Sequence, residues 1–443
     1  MQFDLKGADY NEKLIYHSPD GIDVKPFYTS EDVKESTKTP SPKDWSICER
    51  IYVISAEKSN QRAKEVLEKG AESLWFIIPS EEISPEMLLK GLDLENTPVY
   101  LSLHFLSEEY FKRFRDFLEG KKTKIYLQTD IIGKLARSGN WFHNLAEDHR
   151  LLDEIVKNSA EFESVISIDT TVYQNSGATI PQQLAYALAH VNEYMNHFKK
   201  QPEFGQFQPQ FLIASGSNYF FEIAKIRALR WLYATLAKEY QLPETCHILA
   251  QPTKRNKTLY DYNVNLLRTT TESMSAILGG ADSIYNIPYD AIYHKNNQFG
   301  DRIARNQLLV MKNEAYLGKV ANAAEGTFYI ESLTRQFAEA ALEIFREIEK
   351  GGGFLKELKA GVIQKKIKES AKKEQELFDS GELVLIGTNK YENPQDQMKD
   401  ELELYPFLKK NPRKTLLEPI LERRLSERLE QERLKQEKEE KVG

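Results

Sequence analysis

RIYVIS (50–55), PVYLSLHF (98–105) and DSIYNIP (282–288) are three of eight short apolar runs that decide the fold of this chain. The other runs are SLWFIIP (73–79), KIYLQTD (124–130), SVISIDT (164–170), QFLIAS (210–215) and HILAQ (247–251). Each run is rich in Val, Ile, Leu, Tyr and Phe, shows no clean alternation, and is too short for a helix. Such runs fit parallel strands that are covered on both faces. Eight of them, with helix-like stretches between them, predict a closed (β/α)8 TIM barrel whose functional groups gather at the strand ends.

The composition predicts a globular, soluble protein. Of 443 residues, 41% are hydrophobic and 11% aromatic, and the net charge of −7 comes from intermixed basic and acidic residues. A nucleic-acid binder would normally show a concentrated basic face, so we expect no nucleic-acid partner. No apolar run approaches the roughly 20 residues of a membrane span, and the start, MQFDLKGADY, has no signal-peptide pattern. With only two cysteines, a disulfide scaffold is excluded, and we expect a cytoplasmic protein without a membrane partner.

Changes in composition and periodicity along the chain predict three regions: an N-terminal arm (1–45), the barrel (46–360) and a charged helical C-terminal extension (361–443). The polar, Pro-bearing arm either packs on its own barrel or wraps a partner subunit. In the charged tail, Leu425, Leu429 and Leu434 are sparse apolar anchors, which is typical of a solvated helix or, alternatively, of a partner-docking helix.

Local signals position several helices between the strands. Thr179 with Gln182 forms a capping-box pattern, and Pro181 suits a first helical turn. A long helix is expected over residues 218–240, and on its otherwise apolar face Arg227 is expected to pair with a carboxylate across a helix contact.

The predicted strand ends carry few groups that could do chemistry. His104 and Asp169 are the only plausible acid/base residues, and nothing in the sequence places them together. The eight histidines show no metal-ligand spacing, and the phosphate-loop, dinucleotide and nucleophile-elbow motifs are all absent. From the residues alone, this is a barrel without a visible active site.

A longer stretch resembles a known family. TLYDYNVNLLRTTTESMSAILGGADSIYNIPYD (258–290), RIARNQLLVMKNEAYLGKV (302–320) and NYFFEIAKIRALR (218–230) resemble the barrel of the cobalamin-dependent acyl-CoA mutases. SGAT (176–179) and DGIDVKPFYTSED (20–32) match the same family in the same order. The resemblance spans about residues 10–395 and is closest to small, or beta, subunits of heterodimeric methylmalonyl-CoA mutase, here in a shortened form without the cobalamin-binding domain.

The resemblance implies a radical isomerisation of (R)-methylmalonyl-CoA and succinyl-CoA that depends on adenosylcobalamin, with the pantetheine arm threaded along the barrel axis. Several catalytic positions of the family depart here. The Tyr-His pair is replaced by Thr171 and Val172, and the His before the seventh-strand Gln is Leu249. The Arg-x-Ser that grips coenzyme A is replaced by Gln208 and Gln210.

Two further departures concern the radical chemistry. The segment that supplies the family's radical-triggering tyrosine has no counterpart, since PSPKDW (40–45) runs directly into the first strand. DxHxxG, whose His ligates cobalt, occurs nowhere in the sequence. The resemblance therefore implies a non-catalytic chain whose large (alpha) partner subunit holds the cofactor, with no catalytic, cofactor or metal residue on this chain.

Some positions still follow the family pattern and could line a vestigial pocket; hydrogen bonding that closes the barrel or caps helices is the alternative. These candidates are Gln128, Asp130, Gln174, Gln251 and Arg268. The Arg expected ten residues after Gln128 is instead Ser138, with Arg137 adjacent. We further expect a filled barrel interior with no channel for a pantetheine arm.

Two other functions remain open. The chain could be a partner of an isobutyryl-type or ethylmalonyl-type mutase, which a neighbouring large-subunit gene would decide. It could also be an autonomous barrel enzyme, which requires His104 and Asp169 to approach within hydrogen-bond reach in one open pocket.

Overall fold

The computed structural model describes residues 5–33, 39–201, 204–205, 207–409 and 413–439. Parts of the predicted arm (1–4 and 34–38) and the end of the tail (440–443) lie outside the described residues. No helix in the described ranges is long and apolar enough to cross a membrane.

Eight parallel strands close into a barrel, which confirms the predicted (β/α)8 fold. The barrel strands are β3 (Ser46–Tyr52), β4 (Ser73–Ile78), β5 (Val99–Leu103), β6 (Ile125–Thr129), β7 (Ser164–Asp169), β8 (Gln210–Ser215), β9 (His247–Pro252) and β10 (Ser283–Tyr285). They pair in the order β10-β3-β4-β5-β6-β7-β8-β9. The first strand begins before the apolar run, because Ser46, Ile47 and Cys48 pair with β10 and close the barrel.

Helices follow the strands and form the outer layer. They are α1 (Tyr10–Leu14), α2 (Ala56–Glu68), α3 (Pro85–Leu89), α4 (Glu108–Leu118), α5 (Ile131–Ser138), α6 (Leu145–Lys157), α7 (Thr171–Asn175), α8 (Ile180–Phe198), α9 (Tyr219–Glu239), α10 (Val264–Gly279), α11 (Gln298–Asn313), α12 (Phe328–Gly351), α13 (Phe354–Lys359), α14 (Val362–Asp379) and α15 (Glu427–Glu439). The capping box of Thr179 and Gln182 is present at the start of α8, as predicted.

The helical shell contains the buried ion pair that the sequence predicts for Arg227. Its Nη2 lies 2.6 Å from Oε1 of Glu331 on α12, and both side chains are buried. Because a charge without its partner is costly in the interior, this pair fixes how α9 and α12 pack.

The arm packs on its own barrel over the residues that the structure describes. A small hairpin, β1 (Tyr16–His17) with β2 (Asp23–Val24), places Ile22 in the main hydrophobic core. Asp20 Oδ1 accepts a hydrogen bond of 2.7 Å from the backbone N–H of Ile180 at the start of α8. The ring of Tyr28 lies 5.1 Å from that of Tyr329.

The C-terminal extension also folds back onto the barrel. Ile363 and Ile367 of α14 are buried in the main core, and Leu434 of α15 is buried beside Tyr260. Leu425 is buried as well. The solvated-tail interpretation is therefore wrong for this segment, because its sparse leucines are anchors on the same chain. The three domain boundaries stay a prediction.

Candidate functional site

A cavity of about 530 Å³ opens at the carboxyl ends of the barrel strands, and we call it the mouth cavity. Side chains from seven strands, β3 to β9, contribute to its wall, as expected for the functional end of such a barrel. Cationic groups are prominent there, and they come from separate elements: Arg50 on β3, Lys134 and Arg137 on α5, and Lys254 after β9.

Eight buried side chains fill the barrel centre beneath this cavity, and we call them the floor. The floor consists of Cys48, Trp75, Tyr100, Tyr126, Leu212, Leu249, Tyr285 and Ile287. Its rings are packed against one another: Tyr100 stacks on Tyr126 at 5.1 Å between centroids, and Trp75 meets Tyr285 edge-on at 5.7 Å. The expected filled interior is confirmed for the described part of the chain.

The opposite side of the floor carries a hydrogen-bonded network. The hydroxyl of Tyr100 lies 2.7 Å from Nε2 of His247 and 2.5 Å from Oγ of Ser283. A second cavity of about 160 Å³, which includes His247 and Tyr126 in its wall, lies at this amino-terminal side and shares no lining residue with the mouth cavity.

The two acid/base candidates both line the mouth cavity but do not bond to each other. Oδ2 of Asp169 lies 2.5 Å from Nη2 of Arg137, and Oδ1 accepts hydrogen bonds from the backbone and hydroxyl of Thr171. His104 packs edge-on against the ring of Tyr52, and desolvation together with the nearby charge of Lys134 lowers its pKa. Asp169 therefore acts as an ion-pair partner, and the geometry required of an autonomous acid/base pair is not met.

A segment of the C-terminal extension, residues 413–426, crosses the barrel mouth, and we call it the strap. Backbone N–H groups of the strap donate to the carbonyls of Gly139, Ala136, Asn175 and Arg255, which belong to different elements of the barrel end. The strap is thus held by the framework of the mouth and adds one side chain, Glu422, to the cavity wall.

Glu422 brings a carboxylate into the cationic wall. It forms an ion pair with Arg137 Nη1, and its Oε2 accepts a hydrogen bond of 3.3 Å from Asn175 Nδ2. Burial raises the pKa of Glu422, but the charges of Arg137 and Lys254 outweigh burial and leave the pKa below its ordinary value. The carboxylate is consequently held in its charged form.

Three of the five predicted pocket residues, Gln128, Asp130 and Gln251, line the mouth cavity. Gln128 accepts a hydrogen bond from Ser102 Oγ and donates to Gln210 Oε1, so it links three strands. Gln251 is buried, yet its Oε1 has no hydrogen-bond partner among the described residues.

Asp130 has a structural environment. Its carboxylate accepts hydrogen bonds from the N–H groups of Gly133 and Asp169 and bonds to His190 Nε2 at 2.9 Å. Burial raises its pKa, but the charge and hydrogen bond of His190 together with these N–H donors outweigh burial and leave the pKa lowered. Asp130 thus caps α5 and joins it to α8, which matches the helix-capping alternative.

The remaining two candidates lie away from the mouth cavity. Gln174 lines a neighbouring cavity of about 400 Å³ between the arm, α8 and α14. Arg268 on α10 donates to Thr258 Oγ1, to Asn265 Oδ1 and to the carbonyl of Ile386. It lines none of the cavities described above and ties the C-terminal extension to the barrel.

Sequence reasoning missed several residues of the mouth, among them Arg50, Lys254 and Glu422. Lys254 follows Gln251 by three residues and so had a local signal at a strand end, whereas Arg50 is the first residue of the first apolar run and had no such signal. Glu422 had none, because the fold of the strap alone brings it there. No group of three or more His, Cys, Asp or Glu that could hold a metal ion occurs in the described ranges.

Comparisons with known proteins agree with this architecture. The family model of methylmalonyl-CoA mutase matches residues 86–439. The methylmalonyl-CoA mutase small subunit of Porphyromonas gingivalis is 30% identical, over 90% of this chain and 70% of that protein. Methylmalonyl-CoA mutase of Rhizobium meliloti is 27% identical, over 95% of this chain and 67% of that protein.

Two further matches are more partial. The methylmalonyl-CoA mutase small subunit of Streptomyces virginiae is 28% identical, and the match covers 82% of this chain and 63% of that protein. Among solved structures, dihydropteroate synthase from Thermus thermophilus covers 61% of this chain and 95% of its own, with 12% identity and a TM-score of 0.34, which is too distant to bear on function. The family match, which spans well over half of the sequence, places this chain in the methylmalonyl-CoA mutase family.

Proposed function

We propose that this chain is the non-catalytic small subunit of a heterodimeric methylmalonyl-CoA mutase. In this role it supports a large subunit that binds adenosylcobalamin and isomerises (R)-methylmalonyl-CoA and succinyl-CoA. The small chain would stabilise its partner and help to enclose a cavity shielded from water, in which reactive intermediates are protected from side reactions.

The observation that carries the proposal is the floor. In the family, as the resemblance implies, the barrel axis accommodates the pantetheine arm of the substrate. Here Trp75, Tyr100 and Tyr126 are buried on that axis and packed against neighbouring rings. A thioester could enter only if several large aromatic side chains left a close-packed cluster, which would open a costly cavity.

The family's Tyr-His position supports the same conclusion. Val172 is fully buried and carries no polar atom, and Thr171 donates its hydroxyl to Asp169. Neither residue can donate from an imidazole to a thioester carbonyl, and loss of one such donor typically lowers turnover by about 10²–10³-fold.

The residues present at the mouth do not fit a corrin. The sequence contains no DxHxxG to supply a lower axial ligand. The strap lies across the barrel mouth, where its backbone is hydrogen-bonded to Ala136, Gly139 and Asn175. This favours a cofactor held by the partner subunit. The buried thiols of Cys48 and Cys246 are both free, which fits the reducing cytoplasm.

The proposal is tested by co-expressing this chain with a candidate large subunit that carries an intact Tyr-His pair and DxHxxG. We expect the two chains to co-purify, the pair to be active with adenosylcobalamin, and the small chain alone to be inactive. Turnover by the small chain alone, or failure to co-purify, would contradict the proposal.

A matched variant sharpens the test. Replacing His104 by Gln and Asp169 by Asn in the small chain should leave kcat of the pair unchanged, because neither side chain takes part in chemistry. Replacing the Tyr-His pair of the large chain should remove turnover. A large loss from the small-chain variant, with the pair still assembled, would favour the autonomous barrel enzyme.

The substrate of the pair distinguishes methylmalonyl-CoA mutase from the isobutyryl-type and ethylmalonyl-type alternatives. The purified pair is assayed with each acyl-CoA in turn. We expect the highest kcat/KM with (R)-methylmalonyl-CoA, and a higher value with another acyl-CoA would transfer the subunit to that enzyme.

A further inference from the structure

Two cations of the mouth cavity, Arg50 and Lys254, have no carboxylate within ion-pair distance among the described residues. Neither side chain makes a hydrogen bond or an ion pair with any residue that the structure describes, although both line the cavity. The guanidinium of Arg50 lies above the floor, 4.4 Å from the ring centroid of Tyr285 and 5.4 Å from that of Trp75. These cation–π contacts hold the group in place while its N–H donors stay unused.

The two free cations are close enough to influence each other. The charge of Glu422 raises the pKa of Lys254, but desolvation and the like charges of Arg50 and Arg137 outweigh it and leave the pKa below its ordinary value. These like charges repel each other in a partly desolvated wall, and a bound anion would relieve the repulsion.

A buried polar group points to a ligand at the same place. Gln251 is 5% exposed, lines the cavity, and has an Oε1 atom without a partner. A buried amide oxygen left unpaired typically costs about 1–3 kcal/mol, and a water that enters with a bound ligand would satisfy it.

The chain itself indicates which anion this wall accommodates. Glu422 of the strap already places a carboxylate on Arg137 and Asn175, at the edge of the same cavity. Arginine binds carboxylates through paired N–H donors, so Arg50 offers a second position of the same chemistry. Glu422 satisfies Arg137 but leaves Arg50 without a hydrogen-bonded anion.

The shape of the cavity limits the ligand. Its volume of about 530 Å³ is that of a small-molecule site, and the floor closes it toward the barrel axis. A free acid fits this description better than a thioester whose long arm would need the axis. We propose that the mouth cavity binds a small free dicarboxylate on Arg50 and Lys254, with a water that hydrates the ligand donating to Gln251 Oε1.

The proposal is tested by calorimetric titration of the purified full-length chain with straight-chain dicarboxylates from malonate to glutarate. We expect saturable one-to-one binding and an increase in Tm with ligand concentration. Acetate, inorganic phosphate and coenzyme A serve as comparisons and should bind more weakly. Tighter binding of phosphate or coenzyme A than of every dicarboxylate would overturn the assigned ligand class.

Variants locate the site. Arg50→Gln and Lys254→Gln should each weaken dicarboxylate binding by about tenfold or more, since each removes one charge-assisted contact. Lys372→Gln removes a charge from an exposed lysine of α14 that does not line the cavity, and should leave binding unchanged. If Arg50→Gln fails to fold, Lys254→Gln decides alone, because the side chain of Lys254 is exposed and forms no hydrogen bond or ion pair with the described residues.

Glu422→Gln gives the opposite sign. Removing the negative charge at the cavity edge should tighten dicarboxylate binding several-fold. The proposal is overturned if neither the wild-type chain nor this variant binds any dicarboxylate at millimolar concentration, or if Arg50→Gln and Lys254→Gln bind as the wild-type chain does.

Discussion

The floor and the mouth of the barrel are built from the same strands, yet they treat their polar groups in opposite ways. At the floor, the hydroxyl of Tyr100 bonds to both His247 and Ser283, and the rings around it are close-packed. At the mouth, Arg50 and Lys254 form no ion pair or side-chain hydrogen bond with the described residues, and Gln251 has an unpaired oxygen. Close packing therefore characterises the floor, whereas polar groups without bonded partners characterise the mouth.

This difference shows that family membership predicts the barrel but does not by itself predict whether a substrate can enter it. The framework motifs maintain the barrel, whereas the side chains on its axis decide whether a long substrate can enter. A closed floor beneath an open, charged mouth is consistent with a chain that keeps the scaffold, transfers the chemistry to a partner and retains room for a small ligand.

The largest effect is expected at the floor. Tyr100→Ala should lower the free energy of unfolding by about 3–5 kcal/mol, because it leaves a cavity among packed rings. Tyr100→Phe should lower it by about 1–3 kcal/mol, through the two lost hydrogen bonds alone. Urea unfolding measures both values. Tyr52→Ala, at a side chain that is 50% exposed near the mouth, should change stability far less; an equal loss would contradict the contrast between the layers.

The strap should respond next. Glu422→Gln removes the charge that pairs with Arg137, and we expect a loss of about 2 kcal/mol together with faster tryptic cleavage after Arg423. Because the pKa of Glu422 is lowered in the folded chain, this contribution is present at neutral pH and is lost as the pH falls through that pKa. Glu418→Gln, at an exposed carboxylate of the same strap, is the control. Equal cleavage rates of the two variants would show that Glu422 does not hold the strap.

Asp20 should give the opposite pH dependence. Burial raises its pKa to about 6, from about 4 in the unfolded chain, so the folded chain binds the extra proton between these values. Stability should therefore fall as the pH rises from 4 to 6, by an amount on the order of 1 kcal/mol after allowance for the partial exposure of the group. Asp20→Asn should flatten this dependence, because the amide does not titrate in this pH range. The amide oxygen can still accept the hydrogen bond from the N–H of Ile180. Unfolding titrations at several pH values measure the effect, and an unchanged slope in the variant would exclude Asp20 as its source.

The smallest effect is expected at Gln251. Replacement by Met removes a buried oxygen without a partner and should raise stability slightly, by up to about 1 kcal/mol. Gln210→Met, at a buried amide that donates to the carbonyl of Leu127, should lower it instead. Thermal unfolding of both variants compares a buried glutamine that is hydrogen-bonded with one whose oxygen is unpaired. An equal loss of stability at Gln251 and Gln210 would contradict the prediction.

Much of the fold could be predicted from the chain, because the relevant signals are local. The structure confirms three predictions that rest on signals within a few residues: the eight apolar runs, the capping box at Thr179 and the ion pair of Arg227. The mouth could be predicted only in part. Gln128 and Gln251 follow from the resemblance to the family pattern, but the position of Glu422 depends on how the strap crosses the barrel.

The tail shows why charge patterns alone are insufficient. Its sequence is dominated by Glu, Lys and Arg, which is typical of a solvated helix, yet Arg424 is buried between Glu430 and the carbonyl of Lys257. A charged residue can be buried when ion pairs and carbonyls complete its hydrogen bonds, and these partners lie far apart along the chain.

The most direct test of the central claim is an isomerase assay of the purified chain with adenosylcobalamin and (R)-methylmalonyl-CoA, with and without a large subunit. We predict no succinyl-CoA from this chain alone and full turnover from the assembled pair. Cofactor-dependent formation of succinyl-CoA by this chain alone would contradict the account.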